Sequence, residues 1–262
     1  MTKNLTVFEL LSMQIDQCDA LDAKQKIELK LQRFNKFIAW SDDDYERYDV
    51  LLDSFKKIRS KKNPNTTELG QALEKLVTFI FDRSFFYQVF ENKRTSTHEI
   101  DQFVILSDNG IQALEDYKFS KDLLLTKQNY LLCECKNYKG KVSATWVGKF
   151  NTLLDVSGKC QLGIIFSCDG LTGRENNWYD AHGLTKIIYH LSENEQKKFI
   201  LDFNLEDFEK LKEKNTNIFD IIKTKKMALL SNVKSEKLLD DLHEGVDEIK
   251  EIYEEINEFN YS

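Results

Sequence analysis

The sequence predicts an α/β domain in which a small mixed sheet is flanked by helices. Two observations lead to this fold class. Between residues 66 and 167 the pattern runs helix, strand, strand, strand, helix, strand, which is typical of a sheet covered by helices. Residues 161–167 form the apolar run QLGIIFS, which indicates a strand buried on both faces. Helical periodicity on either side of this stretch predicts helical additions at both ends.

The N-terminal region is predicted to be helical over residues 4–60, because apolar residues recur there at spacings of three and four. Asn63-Pro64-Asn65 ends this pattern, since proline disfavours a helix at its own position and at the residue before it. A new helix is expected directly afterwards, with Thr66 or Thr67 as its N-cap. Its buried face would carry Leu69, Leu73, Leu76, Val77 and Ile80.

Four segments have the aromatic, β-branched or apolar composition that favours strands. They are residues 85–90, 99–106, 130–135 and 161–167. Residues 107–129, between the second and third strands, are largely polar and are interpreted as a connection. Residues 144–157 are predicted to form a helix, and helical patterning returns over residues 197–230. We therefore divide the chain into a helical N-terminal region (1–62), a central α/β domain (66–190) and a helical C-terminal region (191–262).

The C-terminal tail combines an apolar stripe with strong negative charge. From Leu239 to Ile256 apolar residues recur at spacings that alternate between three and four, with acids on the other faces. This pattern fits either a coiled-coil seam or an amphipathic helix packed on its own domain. Residues 235–262 have a net charge of −8, which leaves +1 for the rest of a chain whose total is −7. We expect a homodimer, or a partner protein bound through this helix.

Positive charge is concentrated in two places on the nearly neutral body of the chain. Residues 56–62, KKIRSKK, are interpreted as a solvated helix face, and they are also a candidate surface for the acidic tail. A second group follows the third predicted strand and consists of Lys136, Lys139, Lys141 and Lys149. Clustered cations of this kind are the usual footprint of a nucleic-acid partner.

Several classes of protein are disfavoured. No stretch approaches the roughly 18 apolar residues of a membrane helix, and the N-terminus lacks the pattern of a secretory leader, so a cytoplasmic protein is expected. Five cysteines without framework spacing argue against a disulfide scaffold. Cys133-x-Cys135 could be half of a zinc site, but no second pair follows, and both thiols are predicted to lie in the core.

The third predicted strand ends in a chemically suggestive pair. Side chains alternate along a strand, so Glu134 and Lys136 point one way while Cys133 and Cys135 point the other. The pair is either a surface ion pair or a metal ligand beside a catalytic cation. Asp101 lies near the start of the otherwise apolar second strand, where a buried carboxylate is costly unless paired or metal-bound. Two such carboxylates and a lysine suit Mg²⁺ or Mn²⁺ better than zinc.

These residues resemble the signature of the PD-(D/E)xK nuclease superfamily, with Asp101 followed by Glu134-x-Lys136 and with Ile100 in place of the proline. Three further segments resemble Mrr-like restriction endonucleases. Gly70–Glu74 is similar to their G-x-x-[FL]-E helix, and Glu134–Val142 to their Q-C-K-x-Y-x-G-x-V strand and loop, with glutamate in place of the usual glutamine. Leu162–Ser167 with Gly170-Leu171-Thr172 resembles their last core strand and turn. The resemblance covers about residues 66–190.

The resemblance implies a restriction-endonuclease-like sheet and a role for each matching residue. Asp101 and Glu134 would bind the metal, with the carbonyl of Cys135 as a possible third ligand, and Lys136 would be catalytic. Glu74 would be an accessory catalytic acid, with Glu68 as its rival. Strand alternation places Glu99 on the face of Asp101, so it is expected near the metal, whereas His98 is expected only to begin the strand. Cations just beyond the catalytic strand are expected to contact nucleic acid: Lys139, Lys141 and Lys149.

The resemblance therefore implies a Mg²⁺-dependent endonuclease that cleaves DNA, in restriction or anti-phage defence. Two alternatives stay open. The fold could serve as a non-catalytic platform for binding or assembly, or it could cleave RNA, because metal chemistry at a phosphodiester does not select the sugar. The sequence contains no helix-turn-helix, zinc-finger or RNA-recognition signature that would identify a target.

Overall fold

A computed structural model describes residues 22–94, 99–124, 127–137, 140–173, 180–193, 196–214 and 216–231. It has a five-stranded mixed sheet flanked by helices, which confirms the predicted α/β class. The helices of the described residues are α1 (Ala23–Ile38), α2 (Asp42–Arg59), α3 (Thr66–Asp82), α4 (Asp108–Asp116), α5 (Ala144–Val156), α6 (Ala181–Leu191), α7 (Leu205–Lys210) and α8 (Ile218–Ser231). The strands are β1 (Tyr87–Arg94), β2 (Glu99–Leu106), β3 (Tyr130–Lys136), β4 (Leu162–Ser167) and β5 (Phe199–Phe203), and a 3₁₀ turn spans Lys121–Leu124.

The five strands lie in the sheet in chain order. β1, β2 and β3 pair antiparallel, whereas β3, β4 and β5 pair parallel. The parallel pairs require crossover connections, and α5 and α6 provide them. As a result, the carboxyl ends of β3, β4 and β5 meet at one edge of the sheet, together with the amino end of β2.

Both faces of the sheet are covered. One buried cluster packs on one face of the sheet and contains side chains from helices that precede the strands and from helices that follow them. Its members include Phe34 of α1, Tyr48 of α2, Leu73 of α3 and Phe208 of α7. We call it the α3-side core. The opposite cluster, the α5-side core, is smaller and includes Phe150 of α5. The Tyr48 hydroxyl donates a 2.8 Å hydrogen bond to the carbonyl of Phe208, which ties α2 to α7 inside the first core.

Strand β3 shows the alternation that the sequence predicts. Leu131 and Cys133 belong to the α3-side core, and Cys135 packs against it. Leu132 belongs to the α5-side core. Glu134, two residues further, therefore shares the α5 face, and Lys136 follows it on that face.

Three local predictions are wrong. The N-cap of α3 is Asn65, not Thr66 or Thr67, and its Oδ1 accepts hydrogen bonds from the amides of Thr67 and Glu68. The polar connection of residues 107–129 contains helix α4, which Ser107 caps, and the 3₁₀ turn. Within 197–230, the segment Phe199–Phe203 is a strand because it pairs with β4 along its length, and this tertiary contact overrides helical patterning.

Several predicted features lie outside the described residues. They are the beginning of the N-terminal helical stretch, His98, Lys139 and the apolar stripe from Leu239 to Ile256. For Glu99 the structure describes the backbone and not the side chain. Among the described helices, none has the length and apolarity needed to cross a membrane.

The contact between α5 and β4 gives a test of this packing. A Cβ on Gly163 would approach Phe150 Cε1 to 2.6 Å and Leu154 Cδ2 to 2.9 Å, whereas a Cβ on Gly148 of α5 meets no atom within 4 Å. We expect Gly163→Ala to lower the free energy of unfolding by about 1–3 kcal/mol through overpacking. Gly148→Ala should raise it by about 0.5–1 kcal/mol, because alanine favours a helix. Urea denaturation of both variants measures the two values, and equal values would contradict the α5–β4 contact.

Candidate active site

Strands β2 and β3 separate at one end, and the candidate site lies where they do. Their paired register extends from Ile105 and Tyr130 to Gln102 and Cys133 and goes no further. Beyond that point the Asp101 carboxylate takes the place of a backbone acceptor, because its Oδ2 accepts a 2.8 Å hydrogen bond from the Cys135 amide. The fold therefore places a carboxylate between two strands at the open end of the sheet.

Glu134 and Lys136 form an ion pair beside this carboxylate. Glu134 Oε1 contacts Lys136 Nζ, and the two side chains are only 13% and 15% exposed. On the other side of β3 the parallel pairing continues, with Glu134 opposite Ile165 and Lys136 opposite Ser167. The β3 backbone is thus paired with β4 on one side and open towards β2 on the other, while both side chains lie on the α5 face of the sheet.

The electrostatics of Glu134 follow from this position. Burial raises the pKa of its carboxyl, and the neighbouring Asp101 charge raises it further, whereas the Lys136 ammonium opposes both effects. Desolvation and a like charge both disfavour the ionised form of an acid. A buried carboxyl whose proton affinity is raised by a neighbouring carboxylate in this way marks a place where an additional positive charge is favourable.

Unsatisfied polar atoms concentrate at the same end of the sheet, although Gln102 lies on its α3 face and Glu134 on its α5 face. Across the described residues, five buried side-chain polar atoms lack a hydrogen-bond partner. Four of the five belong to three residues at this end of β2 and β3: Glu134 (Oε2), Gln102 (Oε1) and Asn137 (Nδ2 and Oδ1). Each such atom costs about 1–3 kcal/mol, so native proteins contain few of them outside positions that a water, an ion or a ligand completes.

The donor set fits a small hard cation. Glu134 Oε2 is buried and without a donor, and the Asp101 carboxylate lies beside it. The described part of the chain has no group of three or more histidine, cysteine, aspartate or glutamate side chains that could hold a metal ion. Asp101 and Glu134 would therefore share a cation with oxygens from solvent, phosphate or the Cys135 carbonyl. Magnesium binds in this way, through one or two protein carboxylates.

Trp146 of α5 covers the lysine. Lys136 Nζ lies 4.4 Å from the centroid of its ring, and Lys149 Nζ lies at the same distance. A cation over an indole gains about 0.5–2 kcal/mol, depending on its exposure to water. The indole packs against the α5-side core while remaining partly exposed. It therefore links the ammonium group of Lys136 to the outer surface of α5.

Glu74 lies on α3, close to the same end of the sheet. Its backbone carbonyl accepts a 2.7 Å hydrogen bond from Gln102 Nε2, and its charge is among those that raise the pKa of Cys135. Glu68, the rival residue, forms a 3.7 Å ion pair with Lys61, and both side chains are 53% exposed. Glu68 therefore has the environment of a solvated helix glutamate, and Glu74 is the better accessory candidate.

Two loops follow the parallel strands and are joined to each other. Val142 donates to the carbonyl of Gly170, and its own carbonyl accepts from the Thr172 amide, both at 2.8 Å. Asp169 adds a second link, because its Oδ2 accepts a 3.0 Å hydrogen bond from the Gly140 amide. Arg59 at the end of α2 contacts both Asp169 oxygens at 2.7 Å. Of the predicted nucleic-acid contacts, Lys141 and Lys149 are exposed beside these elements.

Sequence reasoning missed four residues of this region: Gln102, Asn137, Arg59 and Asp169. Asp169 could have been found, because polar residues that follow a buried parallel strand collect at the edge where ligands bind. Arg59 could not, since its partner is 110 positions away.

A comparison with protein-family models, with curated proteins and with solved structures finds no match to this chain.

Cys133 gives a test of whether the thiols of β3 are core side chains or metal ligands. Burial raises the pKa of Cys133 well above its ordinary value. We expect Cys133→Ser to lower the free energy of unfolding by about 1 kcal/mol more than Cys133→Ala, because serine buries a hydroxyl without a partner. Urea denaturation compares the two variants, and metal analysis of the purified protein should find no zinc. Stoichiometric zinc, lost equally from both variants, would show instead that the thiol is a ligand.

Proposed function

We propose that the chain is a Mg²⁺- or Mn²⁺-dependent endonuclease of the PD-(D/E)xK class that hydrolyses DNA phosphodiester bonds. One arrangement carries the proposal. The Asp101 carboxylate lies between the separated strands β2 and β3, next to the buried side chain of Glu134. Among the described residues, one carboxylate oxygen of Glu134 has no hydrogen-bond partner, and the other contacts the ammonium group of Lys136. The Mrr-like resemblance of residues 66–190 supports a place in restriction or anti-phage defence.

Each residue has a defined part in this proposal. Asp101 and Glu134 bind the cation, and the hydrogen bond from the Cys135 amide fixes the orientation of Asp101. When bound, the cation supplies Lewis-acid polarisation of the phosphodiester and lowers the pKa of water. Lys136 supplies a fixed positive charge that stabilises the negative charge developing on the phosphate oxygens as water attacks phosphorus and the P–O bond breaks. Glu74 is the accessory acid.

Lys141 and Lys149 contact the phosphate backbone on either side of the site in this proposal, and Lys139 belongs to the same group. Lys141 lies in the loop after β3, and Lys149 lies on α5 above Trp146. Such contacts would supply affinity without sequence selectivity, because they reach phosphates and not bases.

One observation also favours a second candidate, a binding platform without catalysis. The Glu134–Lys136 ion pair could be purely structural, with each charge neutralising the other. Nothing in this arrangement distinguishes deoxyribose from ribose, so cleavage of RNA is tested in the same experiment as cleavage of DNA.

Substitution of the three central residues tests catalysis. Asp101→Ala, Glu134→Ala and Lys136→Ala should each reduce Mg²⁺-dependent nicking of a supercoiled plasmid by at least about a hundredfold, because the first two each remove a ligand of the cation and the third removes the positive charge that stabilises the transition state. Glu68→Ala is the matched control and should leave the nicking rate unchanged. The nicking rate of Glu74→Ala should lie between that of Glu68→Ala and those of the three central variants. The same assay is run on duplex DNA, single-stranded DNA and RNA, with EDTA as a blank. Absence of cleavage of all three substrates by the wild-type protein would favour the platform.

Metal binding has a readout that does not require catalysis. A ligand that binds only the folded state at ten times its Kd raises the free energy of unfolding by about 1.4 kcal/mol. We expect Mg²⁺ or Mn²⁺ to raise the Tm of the wild-type protein and to have a much smaller effect on Asp101→Ala and Glu134→Ala. Sodium at matched ionic strength controls for screening of charge. An equal rise in all three proteins would place the cation elsewhere.

A further inference from the structure

We propose that the basic end of α2, with exposed Lys57 and Lys62, is part of the surface along which nucleic acid reaches the candidate site. The inference rests on the proposed function for its polyanionic partner. It extends that function to the N-terminal helices, which lie outside the segment that resembles nucleases. The sequence alone favoured a solvated helix face for residues 56–62, and the position of this segment in the fold is what changes that interpretation.

Asp169 determines the position of this basic end. One of its oxygens contacts Arg59 at the last residue of α2 and also accepts from the Gly140 amide, so a single carboxylate joins the helix to the loop after β3. Arg59 and Asp169 are 27% and 34% exposed, and the Arg59 guanidinium reaches both carboxylate oxygens at 2.7 Å, which makes their contact a defined junction. Lys141 directly follows Gly140 and is exposed at the same junction.

The junction lies close to the candidate site. Lys136 pairs with Ser167 across β3 and β4, and Asp169 follows two residues later. Strand spacing and residue length place the Cα atoms of Lys136 and Asp169 within about 12 Å of each other. Three or four base pairs of duplex span that distance, since each strand advances about 3.4 Å per phosphate. A duplex bound at Lys136 that extends over three or four base pairs therefore reaches Asp169, which contacts the last residue of α2.

The cations at this end are not all neutralised within the fold. Lys56 pairs with Glu209, Lys61 with Glu68 and Arg59 with Asp169. Neither Lys57 nor Lys62 has a carboxylate partner in the part of the chain that the structure describes, and both are exposed.

Attraction to the helix macrodipole accounts for lysines in the last turn of α2. It does not account for Lys62, which lies three residues beyond the helix. A polyanion that contacts both Lys57 and Lys62 would account for the exposure of two lysines that have no carboxylate partner among the described residues. Each of the two lysines would then neutralise one phosphate.

The test is the salt dependence of DNA binding with EDTA present, so that no cleavage occurs. Lys57→Gln/Lys62→Gln is compared with Lys26→Gln/Lys223→Gln, which removes the same charge from α1 and α8, helices that contribute no residue to the site. Fluorescence anisotropy of a labelled 30-base-pair duplex measures Kd at several salt concentrations. The loss of two phosphate contacts should reduce the log–log slope by about 1.8 and weaken binding at 0.15 M salt roughly thirtyfold. The control pair should behave as the wild-type protein does.

Equal slopes and Kd values for the two double variants would overturn the inference while leaving the proposed catalysis intact, because plasmid nicking tests that separately. Tighter binding by Lys57→Gln/Lys62→Gln would assign the surface to another function and also overturn it. Failure of the wild-type protein to bind the duplex even at low salt would also overturn the inference. Weakened binding by this variant, in a protein that nicks no substrate, would support the surface and contradict the nuclease.

Discussion

The hydrogen bond from the Cys135 amide to the Asp101 carboxylate is the contact on which the rest of the site depends. A buried backbone amide needs an acceptor, and the antiparallel ladder stops supplying one beyond Cys133. By supplying it, Asp101 lets β2 diverge without leaving the amide unpaired. The divergence exposes one side of β3 at the level of Glu134 and Lys136. With an unbroken ladder, this end of β3 would be closed on both sides.

This arrangement has an energetic cost that the two cores must offset. Glu134 is buried near a like charge, and unpartnered polar atoms lie at the same end of the sheet. Local strain of this kind persists in proteins where surrounding structure over-determines it. The α3-side core, the larger of the two clusters, combines side chains from α1, α2, α3, α7 and the sheet, and its apolar burial opposes this cost. The largest buried core and the candidate site thus lie in different parts of the described structure.

The sequence predicts what depends on local periodicity and misses what depends on distant contacts. Alternation along β3 correctly separated Cys133 from Glu134, because the period of a strand is fixed by its backbone. The strand Phe199–Phe203 was missed because only pairing with β4 distinguishes it from a helical segment. Helix α4 was missed because its nine residues include few apolar ones. The Asp101 hydrogen bond joins residues 34 positions apart, and no periodicity indicates that two strands will separate there.

The position of β5 affects how the protein can be divided. Every residue of β4 is buried, and β5 covers the edge of β4 that β3 does not. A fragment cut at residue 190 would lack β5 and would present β4 as an unprotected apolar edge. Such edges recruit strands from other chains and lead to aggregation. A fragment that also began at residue 66 would lose Tyr48 and Phe34 from the α3-side core. The segment that resembles nucleases is therefore smaller than the unit that would remain in solution when produced alone.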